Sequence, residues 1–367
     1  MFYTISMKIL HVITSLYTGG AERLMVDLLP RLCDNGKNQV DLLLINGVET
    51  PFKAIVQERG IRVFALSSTN DVYHPRNIIR MRPYLAQYDV IHTHNTACQL
   101  FVPLALSCSS AHPVLVTTEH NANNRRRQNR WLKPVDRWMY KRYDAIICIA
   151  DQTRQNLEEY LGKQNKIHTI YNGIDINRFV RPIKDITCKE HFVITMVSTY
   201  RVQKDHETLM RAMKHLPEMF RLQFVGGGEK EDEQRLRSYC HRLGLDDRIG
   251  FMGVRNDVPE ILEQSDFVVL SSHWEGLSLS SVEGMASGRP FIASDVDGLR
   301  EIVGGAGVLF AHEDDVELAN IIRRLSENPD EYKLVAQRCQ ERACQYDISK
   351  MAENYLTLYN SLISNKN

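Results

Sequence analysis

Residues 267–283 read FVVLSSHWEGLSLSSVE, and this stretch carries the pattern that decides the fold. It opens with four apolar residues, Phe267 to Leu270, and continues through a polar loop into a segment with helical spacing. A short continuous apolar run is typical of a strand that is covered on both faces. We therefore predict a strand, a loop that contains Glu275 and Gly276, and a helix that begins near Leu277.

Apolar runs of the same kind recur along the chain and alternate with helical patterns. In the first half, the predicted strands are Lys8 to Thr14, Val40 to Ile45, Ile61 to Leu66, Val90 to Thr93, Val114 to Thr118, Ala145 to Ile149 and Lys166 to Ile170. In the second half they are Phe192 to Val197, Leu222 to Val225, Arg248 to Met252, Phe267 to Leu270, Phe291 to Ala293 and Gly307 to Phe310. Strands that alternate with helices favour parallel sheets with helices on both faces. The predicted fold class is therefore α/β, with two doubly wound, Rossmann-like domains.

A polar connection that contains proline, Arg178 to Glu190, separates the two series of strands. We place an N-terminal domain at residues 1–175 and a C-terminal domain at residues 176–347. The last helical pattern, about residues 348–367, is expected to pack back on the N-terminal domain. Open parallel sheets bind ligands beyond the carboxyl ends of their strands, so we expect the two crevices to face each other across a cleft.

The composition excludes several classes of protein. Hydrophobic residues make up 43% and charged residues 25% of the 367 residues, as in an ordinary globular protein. Lys and Arg number 45, as do Asp and Glu, and this balance argues against a nucleic-acid partner. The charge is divided unevenly, because residues 1–175 hold 21 basic and 15 acidic residues, a net charge of +6. The remainder of the chain carries −6.

No apolar stretch approaches the ~18 residues of a membrane-spanning helix, and the N-terminus lacks the pattern of a signal peptide. We therefore expect a cytoplasmic protein. The eight cysteines form no C-x-x-C pair, and several lie in apolar runs such as Ile146 to Ile149. This usage favours reduced, buried thiols over disulfides, and we expect no structural metal.

The sequence over residues 273–290 and 292–303 closely resembles the E-x7-E signature region of retaining glycosyltransferases of family 4, which have the GT-B fold. Five further motifs resemble this family, in order along the chain: Gly19-Gly20-Ala-Glu22, Asp89-Val-Ile-His-Thr-His94-Asn95, Tyr171-Asn172-Gly173-Ile-Asp175, Val225-Gly-Gly-Gly228-Glu229 and Phe251-Met-Gly253. The resemblance covers most of the chain. It implies an enzyme that takes its sugar from a nucleotide diphosphate sugar.

The resemblance implies that Lys204 binds the donor diphosphate with an arginine as its partner. The family's usual position for that arginine is Thr199 here, so Arg201 is assigned the role instead. Gly19 and Gly20 lie directly before a predicted helix, where backbone amides can approach an anion, and they are assigned to donor binding as well. Two alternatives without a ligand stay open. Gly19 and Gly20 could form a simple turn, and Arg201 and Lys204 could be solvated side chains.

Glu275 and Glu283 are eight residues apart on either side of a helix start. If a diphosphate rests on the amides of Gly276, Leu277 and Ser278, Glu275 can accept hydrogen bonds from the sugar and Glu283 from the ribose. Two glutamates at this spacing are otherwise common on solvated helices. The assignment therefore depends on the surrounding motif.

His120 follows a predicted strand and resembles the histidine that touches the transferred sugar near its reacting carbon. His94, Asn95 and Asn172 are assigned more weakly to the acceptor side or the cleft, and His92 to shaping a loop. The backbone at Val254 and Arg255 resembles the place where the uracil of a UDP-sugar binds.

The family resemblance assigns catalytic roles to His120, Arg201, Lys204 and Glu275. We recognise no D-x-D pair at a strand end that could hold a metal ion on the diphosphate. Lys204, Arg201 and the helix N-terminus are therefore expected to offset the charge of the leaving group, with no metal and no cofactor.

The N-terminal domain is expected to bind the acceptor, and much of its positive charge lies in residues 125–142. This basic segment holds eight Lys and Arg against the single acid Asp136, with Trp131 and Trp138 seven residues apart on one predicted helical face. Such a face can contact an anionic membrane, each charge adding about 1 kcal/mol. The alternative is a helix that packs both tryptophans on the sheet, with its arginines solvated or lining the acceptor cleft.

The resulting prediction is a metal-independent hexosyl- or N-acetylhexosaminyl-transferase. Its donor would be a UDP-sugar, and its acceptor a saccharide or lipid-linked saccharide in cell-surface polysaccharide biosynthesis. Peripheral contact at the inner face of the plasma membrane would suit such an acceptor. Two alternatives are a nucleotide-sugar epimerase of similar fold and a protein that binds sugar nucleotides without catalysis.

Overall fold

The computed structural model describes residues 6–17, 20–69, 71–107, 109–120, 127 and 129–366. It divides into two compact units. The first combines Met1–Gly173 with Ile348–Asn367, and the second is Ile174–Asp347.

The first unit has a sheet of seven strands, all parallel, in the order β3-β2-β1-β4-β5-β6-β7. The strands are β1 Lys8–Ile13, β2 Gln39–Asn46, β3 Arg62–Ser67, β4 Val90–His94, β5 Val114–Glu119, β6 Ala145–Cys148 and β7 Ile167–Thr169. The helices between them are α1 Gly20–Leu32, α2 Pro51–Glu58, α3 Arg76–Leu85, α4 Thr96–Leu106, α5 Lys133–Lys141 and α6 Asp151–Leu161.

Alternate residues of these strands enter two separate hydrophobic clusters. Ile9 and Ile13 of β1 pack into one cluster, while Leu10 and Val12 pack into the other. This division follows from the strand itself, because successive side chains point to opposite faces. The sheet is therefore buried on both faces, which explains the continuous apolar runs in the sequence.

The helix at the end of the chain, Ile348–Lys366, packs on the first unit. Met351, Tyr355 and Tyr359 are buried in the same cluster as α1. The hydroxyl of Tyr359 hydrogen-bonds a ring nitrogen of His92 inside the sheet. The helix thus covers one face of the sheet and reaches into it with polar atoms.

The second unit has six strands, also all parallel, in the order β10-β9-β8-β11-β12-β13. The strands are β8 Phe192–Val197, β9 Phe220–Val225, β10 Ile249–Phe251, β11 Phe267–Leu270, β12 Phe291–Ser294 and β13 Val308–Phe310. The helices are α7 His206–His215, α8 Lys230–Arg242, α9 Val258–Gln264, α10 Leu279–Ala286, α11 Leu299–Val303, α12 Asp315–Glu327 and α13 Pro329–Ala343, and the final helix above is α14. Helix α10 begins at Leu279, two residues later than the predicted start at Leu277, because the backbone of Ser278 is still extended.

Each sheet has one place where the order of the strands reverses along the chain. In the first unit this point lies between β1 and β4, and in the second between β8 and β11. The loops that leave two such strands turn to opposite sides of the sheet, so a crevice opens beyond their carboxyl ends. The residues that follow these four strands are therefore the first candidates for ligand binding.

Candidate functional site

The loops after β8 and β11 meet through an ion pair in the second unit. The ammonium nitrogen of Lys204 lies 2.5 Å from Oε1 of Glu275. The two side chains are only 15% and 6% exposed. The hydroxyl of Ser272 donates to the same carboxylate oxygen at 2.6 Å. Two residues that the sequence assigned to the donor are thus held together by direct contact, in a place where water screens charge weakly.

Backbone contacts fix the position of the loop that carries Glu275. The side-chain amide of Gln203 donates to the carbonyl of Trp274 at 2.7 Å, and the amide of His273 donates to the carbonyl of Gln203 at 2.8 Å. Directly after Lys204, Asp205 has a φ of 45° and caps α7 by accepting from the amide of Thr208. The lysine therefore lies in a short segment that is anchored on both sides.

Gly298 supports the same loop from the start of α11. A Cβ at this position would lie 2.4 Å from the carbonyl oxygen of Gly276 and 2.6 Å from that of Glu275. Its φ of +80° is also in the region that favours glycine. Gly298 lies in the sequence motif, but the sequence analysis gave it no role. The one feature that could have identified it is its position directly before a short helix.

The predicted amide cradle lies at the start of α10. Gly276 and Leu277 precede the helix, Ser278 is its N-cap residue, and Glu283 lies within it. A Cβ at Gly276 would meet nothing within 4 Å, so this side of the loop is open. The first amides of a helix have no partner within the helix and can bind an anion, and their use in binding a diphosphate here stays a prediction.

Arg201 is not part of the Lys204–Glu275 pair. Arg201 is exposed and directly precedes the single helical turn Val202–Lys204. Its guanidinium makes no hydrogen bond or ion pair with any residue that the structure describes. Its assigned role as partner of Lys204 stays a prediction.

Three consecutive glycines after β9 border the loop after β10. Gly226 has a φ of +143°, and a Cβ there would lie 2.0 Å from the carbonyl oxygen of Ser198. A cavity of about 470 Å³ lies beside the loop after β10, lined by Val254, Arg255, Asn256, Asp257 and Glu260. The guanidinium of Arg255 is paired with Asp257, so the backbone and the 81% exposed Val254 are what this loop offers a ligand.

The expectation that no D-x-D pair lies at a strand end was wrong. Asp295 and Asp297 directly follow β12. Arg300 pairs with both carboxylates, at 2.6 Å and 3.1 Å. Arg300 thus occupies oxygens of both carboxylates and offsets part of their charge, and a metal ion would have to compete with it.

Two other groups of side chains have the spacing of metal ligands. They are His11, His92 and His94 in the first unit, and Asp205, His273 and His312 in the second. Nδ1 of His273 lies 2.8 Å from Nε2 of His312. The absence of a metal requirement therefore stays a prediction.

His120 of the first unit is half-buried and lies just beyond β5. Its Nε2 is 2.9 Å from Nδ1 of His94, whose own Nε2 is 2.9 Å from Nδ1 of His11. Burial lowers the pKa of His120 to about 4 and that of His11 to about 3, and it holds the pKa of His94 well below its ordinary value. All three imidazoles are therefore neutral near pH 7.

His92 and His94 are both fully buried, and their assignment to shaping a loop or to the acceptor side stays a prediction. His92 uses its two ring nitrogens on the hydroxyls of Tyr359, at 2.5 Å, and Thr118, at 2.7 Å. Both histidines belong to β4, and the final helix packs Tyr355 and Tyr359 against the ring of His92, which excludes water from this face. The sequence motif identified them, but strand pairing decides where they point.

A cavity of about 450 Å³ lies at the carboxyl ends of β1, β2 and β4. It is lined by Thr14, Ser15, Tyr17, Asn46, Val72, Tyr73, Asn95 and Thr96. The amide of Asn95 donates to the hydroxyl of Thr14 at 3.0 Å, so this assigned residue borders the cavity in a fixed orientation. Tyr17 and Tyr73, which sequence reasoning missed, are 46% and 69% exposed.

Three further assigned residues have different outcomes. Gly20 is the first residue of α1, whereas Gly19 lies outside the described residues. Asn172 is 6% exposed, and its Oδ1 finds no hydrogen-bond partner among the described residues. An unpaired buried acceptor is unusual, and Asn172 remains a candidate for binding a ligand.

The basic segment does not form one helical face. Residues 125 and 126 lie outside the described residues, and Arg127 pairs with the buried Glu119. Trp131 lies in the turn Arg130–Leu132 before α5 and is 76% exposed, whereas Trp138 packs partly against the core. The expectation of two tryptophans on one face was wrong, and so was the alternative in which both pack on the sheet. None of the helices in the described ranges is long and apolar enough to cross a membrane.

The two parallel, doubly wound units have the architecture of the GT-B fold. HepE of Anabaena, solved in complex with UDP, superposes with a TM-score of 0.84 at 23% identity over 97% of this chain and 100% of its own. Sucrose-phosphate synthase from Thermosynechococcus elongatus superposes with a TM-score of 0.77 at 20% identity over 98% and 100%. These likenesses concern the fold.

The sequence comparisons give the family. Residues 18–178 match the model of Glycosyltransferase Family 4, and residues 191–328 match that of Glycosyl transferases group 1. The UDP-Gal:alpha-D-GlcNAc-diphosphoundecaprenol alpha-1,3-galactosyltransferase of Escherichia coli is 26% identical over 301 residues, 76% of this chain and 77% of that one. Mannosylfructose-phosphate synthase of Agrobacterium fabrum is 32% identical over 200 residues, 49% and 44% of the two chains. The chain belongs to glycosyltransferase family 4.

Proposed function

We propose that this glycosyltransferase transfers a hexosyl or N-acetylhexosaminyl group from a UDP-sugar, with retention of configuration and without a bound metal. The acceptor would be a saccharide or a lipid-linked saccharide in cell-surface polysaccharide biosynthesis. The observation that carries the proposal is the buried pair of Lys204 and Glu275, whose loop continues through the uncrowded Gly276 into the N-terminus of α10. A cation, a carboxylate and a helix N-terminus at one loop suit a sugar diphosphate, which has both hydroxyl donors and negative charge.

In the donor half of the reaction, Lys204 offsets the charge on the departing diphosphate together with Arg201 and the amides of Gly276 to Ser278. Glu275 accepts hydrogen bonds from the transferred sugar. The bond between the anomeric carbon and the phosphate oxygen breaks, and the acceptor oxygen bonds to the same face of that carbon. The acceptor's proton passes to the departing phosphate oxygen. Preorganised charge of this kind commonly supplies several kcal/mol of transition-state stabilisation.

The relatives support a uridine nucleotide. HepE was solved with UDP and with UDP-glucose, and the name of the Escherichia coli relative includes UDP-Gal. Val254 is exposed in this loop, which suits a base that is bound by main-chain groups. We therefore assign the loop after β10 to the uracil.

The acceptor is assigned to the first unit. The cavity of about 450 Å³ between the loops after β1, β2 and β4 has the size of a ligand pocket and carries the exposed rings of Tyr17 and Tyr73. Aromatic rings beside polar groups suit the faces of a saccharide. The name of the Escherichia coli relative includes a diphosphoundecaprenol carrier, which supports a lipid-linked saccharide as acceptor.

A lipid-linked acceptor would bring the protein to the inner face of the plasma membrane from the cytoplasm. Trp131, Leu132 and Val135 are exposed apolar residues at the start of α5, and Arg137, Lys141 and Arg142 are exposed on the same segment. Apolar side chains beside basic ones are the pattern of a peripheral contact with anionic lipid.

The test begins with a panel of nucleotide sugars in a thermal unfolding assay. A donor at 100 times its Kd should stabilise the protein by about 2.7 kcal/mol. The best binder is then incubated with acceptor in EDTA, and UDP release and the anomeric configuration of the product are measured. Acceptor-dependent UDP release with retention supports the proposal. Isomerised donor without transfer would identify an epimerase, and binding without turnover a non-catalytic protein.

A further inference from the structure

Three histidines of the first unit form a continuous chain of hydrogen bonds that ends at the surface. His11 lies within β1, His94 is the last residue of β4, and His120 follows β5. Both contacts, His11 Nδ1 to His94 Nε2 and His94 Nδ1 to His120 Nε2, are 2.9 Å long. His11 and His94 are fully buried, so His120 alone of the three can reach a ligand.

The number of protons limits this chain to two arrangements. A neutral imidazole has one N–H and one lone pair, so each histidine can donate only once. Either the bonds all point from His11 towards His120, or they all point from His120 towards His11. The first arrangement leaves a lone pair on Nε2 of His11, and the second leaves an N–H there.

The buried end of the chain decides between them. Nε2 of His11 has no hydrogen-bond partner within the described part of the chain. A buried N–H without an acceptor is rarer and costlier than an acceptor without a donor. The bonds therefore point outward, and Nδ1 of His94 donates to Nε2 of His120.

We propose that His94 and His11 are positioning residues that hold His120 in a single tautomer, with Nε2 occupied and Nδ1–H presented to the substrate. This inference rests on the proposed contact between His120 and the transferred sugar. His120 then acts as a hydrogen-bond donor to a sugar oxygen and has no free lone pair to act as a base. A fixed donor costs no reorganisation when the substrate binds.

His92 holds the chain in place without belonging to it. Its ring stacks on that of His94 with centroids 4.4 Å apart, and Tyr359 and Thr118 occupy its two nitrogens. A metal ion bound by His11, His92 and His94 would have to break bonds at His92 and His94, because only His11 has an unpaired nitrogen. The hydrogen-bonded chain is therefore the better account of this cluster.

The test is the tautomeric state of each histidine, measured by ¹⁵N NMR on the unliganded, full-length protein at neutral pH. We expect His120, His94 and His11 all to carry their proton on Nδ1. A proton on Nε2 of His120 would overturn the proposal. So would tight retention of one Zn²⁺ per chain that is lost in His11→Asn. This measurement uses no substrate, so it stands apart from the proposed function.

Two variants connect the tautomer to turnover. In His94→Asn the side-chain amide replaces the Nδ1 donor, whereas His94→Leu removes it, and both lose the acceptor for His11. We expect His94→Leu to give mixed tautomers at His120 and about tenfold lower kcat/KM, and His94→Asn to recover most of that loss. Equal activity in the two variants at equal stability would overturn the positioning role. Full activity in His120→Ala would instead refute the proposed contact with the sugar and leave the tautomer assignment intact.

Discussion

The ammonium of Lys204 lies 2.5 Å from the carboxylate of Glu275, although 71 residues separate them in the chain. Each side chain comes from a loop at the point where the second sheet reverses its strand order. With the carboxylate side chain only 6% exposed, the lysine is its main source of charge compensation. The pair therefore connects the stability of the loop to the binding of a diphosphate.

Lys204→Ala should lower kcat/KM at least tenfold, because the departing diphosphate loses a cation. It should also cost roughly 3 kcal/mol of unfolding free energy, since the Glu275 carboxylate is left buried without its partner. Steady-state kinetics and urea unfolding measure the two effects. Lys184→Ala is the control. Lys184 pairs with Asp266, which directly precedes β11 and so lies at the other end of this strand, and Lys189 also pairs with that aspartate. Near-normal activity in Lys204→Ala, or an equal loss in the control, would contradict the assignment.

Gly298→Ala should weaken donor binding, because its Cβ would overlap the carbonyl groups of Glu275 and Gly276. Gly305→Ala is the control, with a φ of +78° and no atom closer to its Cβ than a guanidinium nitrogen of Arg342 at 3.8 Å. Both variants have the cost of a positive φ, about 1 kcal/mol. We therefore expect Gly298→Ala to lose more unfolding free energy than Gly305→Ala, because its Cβ also displaces the loop. A larger Kd for UDP, measured by calorimetry, is expected only in Gly298→Ala. Equal UDP affinities would mean that the loop does not depend on Gly298.

The sequence predicted those parts of the site that depend on local order. The strand Phe267–Leu270 and the loop to Glu275 are contiguous, so their pattern was sufficient to predict the strand and the position of the loop. Contacts across the sheet could not be predicted in this way. His11 and His92 lie side by side because β1 pairs with β4 in one register, and a shift of one residue in either strand would place the two rings on opposite faces of the sheet. Trp131 shows the same limit for helices, since the turn before α5 breaks the continuous face that its spacing suggested.

Tyr359→Phe should destabilise the protein more than Tyr355→Phe, although both remove one buried hydroxyl. Tyr359 is bonded to Nδ1 of His92 at 2.5 Å, and its loss leaves that nitrogen buried without a partner, at a cost of about 1 to 3 kcal/mol. The hydroxyl of Tyr355 meets Thr118 at 3.2 Å, and Thr118 keeps its bond to His92. Urea unfolding of the two variants gives the comparison. A larger loss of unfolding free energy in Tyr355→Phe than in Tyr359→Phe would show that α14 is not anchored through His92.

The exposed tryptophan of the basic segment should contribute to membrane contact. We expect the full-length protein to float with anionic vesicles at low salt and to be released at high salt, because the attraction is electrostatic. Trp131→Ala should reduce flotation several-fold, since an exposed aromatic ring inserts at the interface. Trp274→Ala serves as the control, because Trp274 is also exposed but lies in the second unit. The absence of salt-sensitive flotation would remove the membrane contact from the proposal.

Acid should destabilise the first unit because His11 is buried in its neutral form. Burial lowers the pKa of His11 to about 3, whereas an unfolded histidine titrates near 6.5. Between these values the unfolded state binds the extra proton, so unfolding free energy falls as the pH drops from about 6.5 towards 3. The loss is about 1.4 kcal/mol per pH unit for each such histidine. His11→Asn should therefore weaken the decline in stability between pH 7.5 and 5.5 by about 1 kcal/mol. His191→Asn is the control for the substitution itself, since His191 is exposed. Urea unfolding at the two pH values measures both, and an identical decline in wild type and His11→Asn would show that His11 takes up its proton in the folded state.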